Sequence, residues 1–221
     1  MTTETGQTFE DALATACAAI EAALGRLDPG RARFLVAVAG PPASGKTSFA
    51  KSVVGQLQAI GHGAIHVPMD GFHLDNALLE PAGLIARKGA PETFDAAGFQ
   101  VAVKRLAREA EVILPDFDRT RDLAVAGRLA VTKGHRIAIV EGNYLCFEEP
   151  AWLGLAADWD LTVYLTASRD VLHARLIERW LGHGLDPDSA RRRAEGNDIP
   201  NAERILARRA ATNISIDTSH W

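Results

Sequence analysis

The sequence contains little cysteine: two residues among 221, Cys17 and Cys146. They are far apart and belong to no Cys-x-x-Cys pair, so neither a disulfide framework nor a thiolate metal site is indicated. A chain of this length can bury enough surface to fold without such crosslinks. The scarcity of cysteine therefore favours a protein of a reducing compartment.

A basic excess and a long apolar run are missing as well. The 24 lysines and arginines are outnumbered by 28 aspartates and glutamates, whereas domains that bind the nucleic-acid backbone usually carry a basic excess. No apolar run approaches the roughly 18 residues of a membrane span. Glu4, Glu10 and Asp11 stand where a secretory signal would be basic. We expect a cytoplasmic protein that binds neither nucleic acid nor membranes.

Short apolar runs alternate with amphipathic segments, a pattern typical of a mainly parallel sheet with helices on both faces. No internal repeat or linker divides the chain, so we expect an N-terminal helix within 1–33 and a single α/β domain over 34–217. The alanine face of that helix could pack on the core or pair in a homodimer. Residues 74–110 look mostly helical, with breaks near Pro81 and Gly89. The predicted strands are residues 34–39, 64–69, 112–114, 136–140, 161–165 and 214–216.

Residues 40–47, GPPASGKT, match the phosphate-loop pattern GxxxxGK[ST] between a predicted buried strand and a predicted helix. Gly40 and Gly45 allow the backbone N–H groups and the helix N-terminus to face phosphates. Lys46 is expected to reach the β- and γ-phosphates of ATP, and Thr47 to ligate Mg²⁺. The alternative is a glycine turn in an ordinary α/β protein. The predicted nucleotide-binding residues are Gly40, Pro41, Pro42, Ala43, Ser44, Gly45, Lys46, Thr47 and Ser48.

Two carboxylates follow predicted strands: Asp70 after residues 64–69 and Glu141 after residues 136–140. Ligands of open parallel sheets bind outside the carboxyl ends of the strands, so both acids should converge on Lys46. One would take the proton of an acceptor hydroxyl and the other would hold Mg²⁺ or its water shell. The alternative is that each caps the following helix. The chain has no guanine-reading NKxD segment, and Glu141 stands where most ATPases carry Asp; both features favour a metabolite kinase.

An arginine-rich segment at residues 171–197 is predicted to form a helical lid. Arg175 and Arg179 are four residues apart and share a helix face. One guanidinium group can bind two phosphate oxygens at once, and a closing lid excludes water from the transition state. The alternative is a solvated charged face. Farther on, Asn201 could contact the nucleotide base or cap a helix at residues 202–210, and the cap is the favoured interpretation.

The motifs GPPASGKT, MDGFHLDN, RKGAPETFD, PDFDR and VEGNYL together resemble the superfamily of uridine kinases, phosphoribulokinases and type I pantothenate kinases. The nearest resemblance is to small bacterial pantothenate-kinase-like proteins, described as nucleoside/nucleotide kinases or provisionally named fructose-transport-system kinases. It extends from residue 34 to residue 217. It implies a three-layer P-loop NTPase fold, ATP and Mg²⁺ as cofactors, and phosphoryl transfer to an alcohol group of a small molecule.

The same resemblance implies roles for individual residues. Asp70 would be the catalytic base and Glu141 the magnesium-associated residue, with Lys46 and the two lid arginines stabilising the transition state. The acceptor would bind within residues 71–122, where PDFDR and RKGAPETFD lie. His73 and Tyr144, just beyond the two acids, could contact the acceptor or serve packing. The full set of expected substrate residues is Asp70, His73, Lys88, Glu92, Asp118, Arg119 and Tyr144.

The acceptor itself stays open at the level of sequence. The chain is shorter than type I pantothenate kinases, and its DGFH and KGAPETFD segments differ from the acceptor loops of uridine kinases. A sugar such as fructose is the first candidate, on the resemblance alone, followed by pantothenate and a nucleoside. A function of another class is a regulatory module that binds ATP without phosphorylating a metabolite. Such a sensor would not need the base expected at Asp70.

Overall fold

Seven strands lie within residues 7–221, the part of the chain that this computed structural model describes. The first six residues of the predicted N-terminal segment 1–33 lie outside it. Five strands form one parallel sheet, and the other two form an antiparallel hairpin. In chain order the strands are β1 Phe34–Ala39, β2 Ala64–Pro68, β3 Val112–Asp118, β4 Leu123–Val131, β5 Ile137–Gly142, β6 Leu161–Thr166 and β7 Ile214–Asp217.

Seven α-helices connect or cover these strands within the same residues. They are α1 Phe9–Leu24, α2 Lys46–Ala59, α3 Asn76–Leu79, α4 Ala96–Arg108, α5 Arg169–Gly182, α6 Pro187–Arg193 and α7 Ile199–Ala207. Helix α1 begins at a side-chain cap from Thr8, and α5 at one from Ser168. Helix α2 has no side-chain cap and follows Gly45, whose φ is +86°. Its first backbone N–H groups are therefore open to an anion.

The parallel sheet has the strand order β2-β5-β1-β6-β7, with β1 at its centre. Successive side chains of a strand point to opposite faces. Val36 and Val38 accordingly lie in a core with α1 and α2, whereas Leu35 and Ala37 lie in a second core with α4. Burial on both faces explains why β1 is an uninterrupted apolar run. The predicted three-layer α/β fold is confirmed.

The hairpin of β3 and β4 differs from the sequence prediction in two ways. Residues 112–114 belong to a longer strand that pairs antiparallel with β4 and does not join the parallel sheet. Strand β4 was not predicted, because most of its side chains are exposed or half-buried and Gly127 interrupts its pattern. The stretch 74–110 is also less helical than expected, since α4 is its one long helix and short turns precede it.

The N-terminal helix packs on the sheet. Ala12, Ala16 and Ile20 of α1 are buried in the core that also holds Phe49 and Val53 of α2. The apolar face predicted for this helix is thus covered by its own chain, and a homodimer stays a prediction. From residue 7 to the end of the chain, the structure has no helix that is both long and apolar enough to cross a membrane.

A buried arginine ties the hairpin and α4 to the sheet. Arg33 is fully buried, and its guanidinium group donates to five backbone carbonyl groups. Burial lowers the pKa of Arg33, and among the described residues no carboxylate pairs with it. The five acceptors are the carbonyl oxygens of Leu106, Glu109, Ala110, Thr132 and His135, at 2.6 to 3.3 Å.

Replacement of this arginine should be strongly destabilising. We expect Arg33→Met to lower the free energy of unfolding by about 3 kcal/mol, because several buried carbonyl groups lose their donor at once. Urea denaturation followed by circular dichroism measures the change. Arg26→Met, at an exposed position, is the matched control and should stay within about 0.5 kcal/mol of wild type. Equal midpoints for both variants would contradict this account of Arg33.

Candidate active site

A cavity of about 640 Å³ opens at the carboxyl ends of β1, β2 and β5. Its walls come from the phosphate loop, the turn after β2, the hairpin and the helices α5 to α7. The polar side chains from these elements include Lys46, Thr47, Asp70, Glu141 and Arg179. The residues predicted to meet at the strand ends therefore line one continuous cavity.

The phosphate loop has the tight backbone that its glycines predict. A Cβ atom on Gly40 would lie 2.4 Å from the carbonyl oxygen of Leu165, so a larger residue cannot fit there. Gly45 has a φ of +86°, which favours glycine, and Ala43 is held at a φ of +64°. Left-handed backbone at a non-glycine residue is strained and persists only where its surroundings enforce it.

Lys46 is a buried cation at the start of α2. Its Nζ atom lies 3.3 Å from the carbonyl oxygen of Pro41 and 3.8 Å from Oε1 of Glu141. Burial lowers the pKa of Lys46, while the charges of Glu141 and Asp70 act in the opposite direction. The ammonium group is thus placed between the phosphate loop and the two predicted carboxylates.

Asp70 lies in the single turn Met69–Phe72 that follows β2. Nη2 of Arg119 donates to its Oδ2 atom at 2.5 Å. Burial alone would raise the pKa of Asp70, but His73, Arg119 and Lys46 lower it further than burial raises it. The pKa therefore lies below the usual value, and the carboxylate is ionised at neutral pH.

Glu141 lies within β5, with its side chain almost fully buried. Oε2 is 3.6 Å from Nε2 of His66, and Oε1 faces Lys46. Protein sites for Mg²⁺ at phosphates commonly use one or two oxygen ligands, with phosphate and water supplying the rest. Among the described residues no cluster of three metal-ligating side chains occurs. The hydroxyl of Thr47 and the carboxylate of Glu141, which line the same cavity, fit this two-ligand pattern.

The two lid arginines have different surroundings in the structure. Arg179 lines the cavity, and burial lowers its pKa. Arg175 does not line the cavity: its Nη2 atom donates to the carbonyl oxygens of Thr218, at 2.7 Å, and Trp221, at 3.2 Å. Its Nη1 atom donates to the carbonyl oxygen of Ala43 at 3.4 Å. Arg175 therefore joins the lid helix to the back of the phosphate loop and to residues 218–221.

Thr218 supports the phosphate loop from the same side. This residue is fully buried, and its Oγ1 atom lies 3.0 Å from the carbonyl oxygen of Ser44 and 3.1 Å from that of Thr166. The indole ring of Trp221 stacks on Phe49 at 5.7 Å between centroids. Together with Arg175, these contacts hold the strained loop in place, which is what a preformed phosphate site requires.

Three of the expected substrate residues besides Asp70 face the cavity, namely His73, Lys88 and Arg119. The ring of His73 packs between Phe94, at 4.0 Å, and Phe117, at 4.7 Å between centroids. Burial lowers the pKa of His73 despite the neighbouring Asp70. His73 thus has a packing role and also forms part of the cavity wall.

Lys88 uses all three of its N–H donors within the protein. Nζ donates to Oδ1 of Asn76 at 2.7 Å, and to the carbonyl oxygen and Oδ2 of Asp122 at 2.8 and 2.9 Å. It also lies 5.3 Å from the centroid of the Phe117 ring. Lys88 therefore joins its loop to α3 and to the hairpin turn.

The other three expected substrate residues do not line the cavity. Glu92 forms salt bridges with Arg87 and Arg204. Asp118 pairs with Arg128 of the same hairpin. Tyr144 is fully buried, and its hydroxyl donates to the carbonyl oxygen of Gly89. These motif residues hold together the segments that surround the cavity.

The lid rests on the acceptor-side loop through backbone carbonyl groups. Arg193 donates to the carbonyl oxygens of Ala86, at 2.9 Å, and Lys88, at 3.3 Å. Asn197 donates to the same carbonyl of Lys88 at 3.2 Å. The cavity is thus covered by α6 and the turn that follows it, near the predicted limits of the lid.

Several cavity residues were not predicted from the sequence. The predicted role of Asn201 as a helix cap is wrong, because α7 begins at Ile199 and Asn201 lies inside this helix, as a residue that lines the cavity. Asn143 follows Glu141 closely, so its place beyond a strand end could have identified it. Other unpredicted side chains on the wall are Asn76, Ile85, Phe117, Asp122, Trp180, His183, Leu185, Arg193 and Asp198.

Known proteins resemble this chain in sequence and in structure. The sequence profile of the Phosphoribulokinase / Uridine kinase family matches residues 35–186. YggC, an uncharacterized protein of Escherichia coli (strain K12), is 35% identical over 202 residues, which cover 89% of this chain and 82% of YggC. A pantothenate kinase of Leifsonia xyli subsp. xyli is 35% identical over 151 residues, which cover 63% of this chain and 45% of that kinase.

The structural comparison agrees with the family profile. A protein of Silicibacter sp. TM1040, provisionally named a fructose transport system kinase, shares 48% identity and superposes with a TM-score of 0.89 over 95% of this chain and 99% of its own. The profile match covers more than half of the chain and confirms the resemblance of the motifs. The chain therefore belongs to the Phosphoribulokinase / Uridine kinase family and is an ATP-dependent small-molecule kinase.

Proposed function

We propose that the protein transfers the γ-phosphoryl group of Mg-ATP to a hydroxyl group of a small polar metabolite. The observation that carries the proposal is the composition of one cavity. Lys46 of the phosphate loop, Asp70, Glu141 and Arg179 line it together. A nucleotide-binding site alone would not require a carboxylate in the position of Asp70.

Asp70 is proposed as the base. Arg119 binds its Oδ2 atom, which leaves Oδ1 to receive the proton of the acceptor hydroxyl as the new oxygen–phosphorus bond forms. The lowered pKa of Asp70 keeps this carboxylate ionised at neutral pH. An unprotonated aspartate suffices here, since phosphoryl transfer depends mainly on positioning and electrostatic stabilisation.

The cationic side chains are proposed to stabilise the phosphoryl group during transfer. Lys46 would contact the β- and γ-phosphates from the phosphate loop, and Arg179 would contact them from the lid. Thr47 and Glu141 would hold Mg²⁺, which neutralises charge on the phosphate oxygens when bound. Arg175, which faces Thr218 and the phosphate loop, is assigned a positioning role in place of the predicted phosphate contact.

Three acceptors remain candidates. A sugar such as fructose comes first, supported by the provisional name of the Silicibacter relative. Pantothenate is supported by the name of the Leifsonia relative, and a nucleoside such as uridine by the family name. We further propose a cytoplasmic location, with neither nucleic acid nor membrane as a partner. A regulatory module that binds ATP without transfer is disfavoured, because Asp70 would have no role in it.

Loss of the phosphate-loop lysine should abolish transfer. We expect Lys46→Ala to lower kcat on the order of 10³-fold, because a buried cation at the transferring phosphoryl group is removed. Lys51→Ala, an exposed position on the same helix, is the matched control and should keep wild-type turnover. Coupled assays of ADP formation measure both. Turnover retained by Lys46→Ala would reject the proposed role of the loop.

Removal of the base should separate chemistry from nucleotide binding. Asp70→Asn should lower kcat by about 10² to 10⁴-fold, because the amide cannot accept the proton of the hydroxyl. Its affinity for Mg-ATP, measured by calorimetry, should remain within a few-fold of wild type. An Asp70→Asn enzyme with full turnover and normal ATP binding would show that another group is the base.

A panel of acceptors distinguishes a kinase from a sensor. ADP formation from ATP should rise well above its basal rate with one acceptor among sugars, pantothenate and nucleosides. That acceptor identifies the substrate class, since the phosphoryl group must reach its hydroxyl. A rate that no acceptor raises, in a protein shown to bind ATP, would favour the regulatory module.

A further inference from the structure

We propose that His73 binds the substrate that is phosphorylated: its Nε2 atom receives a hydrogen bond from a second hydroxyl group of that substrate, close to the reacting hydroxyl. The inference rests on the proposed kinase function and deepens it, because it assigns a substrate-binding atom and requires a substrate with at least two hydroxyl groups. Three observations carry it: the fixed position of the imidazole ring, the contact of its Nδ1 atom and the absence of a partner for Nε2 within the described residues.

The ring of His73 is held in one place on the cavity wall. It packs between Phe94, at 4.0 Å, and Phe117, at 4.7 Å between centroids. The backbone of His73 pairs with that of Phe94 in an isolated β-bridge, and its N–H group donates to the carbonyl oxygen of Asp70 at 3.1 Å. Side chain and main chain are therefore both fixed, three residues after the proposed base.

The contact of Nδ1 determines which ring nitrogen of His73 carries the proton. Nδ1 lies 2.9 Å from the carbonyl oxygen of Asp70. A carbonyl oxygen can only accept, so Nδ1 donates and carries the proton. Burial, with the charges of Lys88 and Arg119, lowers the pKa of His73 more than Asp70 raises it, so the ring is neutral at neutral pH. Nε2 is then an unprotonated nitrogen with a lone pair.

This lone pair is open to a ligand. Nε2 of His73 has no hydrogen-bond partner within the described residues, and it is not among their fully buried polar atoms. His73 and Asp70 line the same cavity. The neighbouring Lys88 does not serve Nε2, since its three N–H groups donate to Asn76 and Asp122. A hydrogen-bond donor of a molecule in the cavity can therefore reach Nε2.

The reacting hydroxyl cannot be that donor. It has one proton, and this proton is directed to Oδ1 of Asp70 in the proposed reaction. Carboxylate and phosphate oxygens at neutral pH carry no proton to donate. Nε2 of His73 therefore requires a further donor on the substrate, and each of the three candidate substrates carries a hydroxyl group besides the one that would react.

Monodeoxy analogues of the best substrate in the panel test the inference with the wild-type enzyme. Each analogue lacks one hydroxyl group other than the reacting one. Removal of the hydroxyl that faces His73 should lower kcat/KM about tenfold, because Nε2 loses its donor. Equal values for the substrate and for every analogue would overturn the inference and leave the kinase function intact. Failure of every compound in the panel to raise ADP formation would reject both.

His73→Phe separates the hydrogen bond from the packing of the ring. A phenyl ring can keep the contacts with Phe94 and Phe117, and the carbonyl oxygen of Asp70 keeps its backbone donor, but nothing replaces Nε2. We expect kcat/KM for the phosphorylated substrate to fall about tenfold, while KM for Mg-ATP changes less than about twofold. His73→Gln, whose side-chain oxygen can accept, should recover part of the loss. His62→Phe, at a half-buried position outside the cavity, is the matched control and should change neither value.

The deoxy analogues and His73→Phe together show whether the ring and the hydroxyl touch. If they do, the variant should use the critical analogue as well as the full substrate, to within about twofold, since the hydrogen bond is already lost. The same tenfold penalty in both enzymes would show that the two groups act independently and would overturn the inference. The comparison of analogues with the wild-type enzyme stands even if a variant fails to fold.

Discussion

The buried charge of Lys46 is the constraint on which the site depends. Its ammonium group lies beneath the phosphate loop, and Glu141 and Asp70 provide the negative charge that makes its burial tolerable. Removing one member of such a group leaves the others uncompensated in a poorly solvated place. The strand order explains how they meet: β2, β5 and β1 are neighbours, and all three end at the same edge of the sheet.

The elements around this charged centre divide into fixed and covering parts. Arg175 and Thr218 hold the phosphate loop from behind, and Arg33 fixes the hairpin and α4 against the sheet. The far end of the lid, α6 and the turn after it, contacts the acceptor-side loop through Arg193 and Asn197 on the carbonyl group of Lys88. This arrangement suits a lid that admits substrates and then excludes water.

The parts that sequence could predict are those governed by local rules. Strand β1 is buried on both faces and reads as an apolar run, and the phosphate loop has a fixed spacing. Asp70 and Glu141 follow strands, so their convergence comes from the geometry of parallel sheets. Strand β4 gave no such signal, because its exposed side chains and Gly127 resemble a loop.

Long-range contacts account for the remaining differences between the predictions and the structure. Arg175 and Arg179 are separated by roughly 40° around their helix, yet residues 218–221 bind only the first of them. Asparagine is a common helix cap, which is why Asn201 is predicted to be one. Helix α7 begins two residues earlier, however, and Asn201 lines the cavity from within it. Neither outcome is encoded in local spacing. Both depend on segments that meet only in the folded chain.

The central claim is direct phosphoryl transfer from Mg-ATP to a hydroxyl group of a small metabolite in this cavity. Phosphorus NMR of the wild-type enzyme with ATP, Mg²⁺ and the best acceptor of the panel observes the transferred group itself. The account predicts a new phosphomonoester signal that grows in step with ADP. Growth of ADP with inorganic phosphate alone would show hydrolysis without transfer and would contradict it.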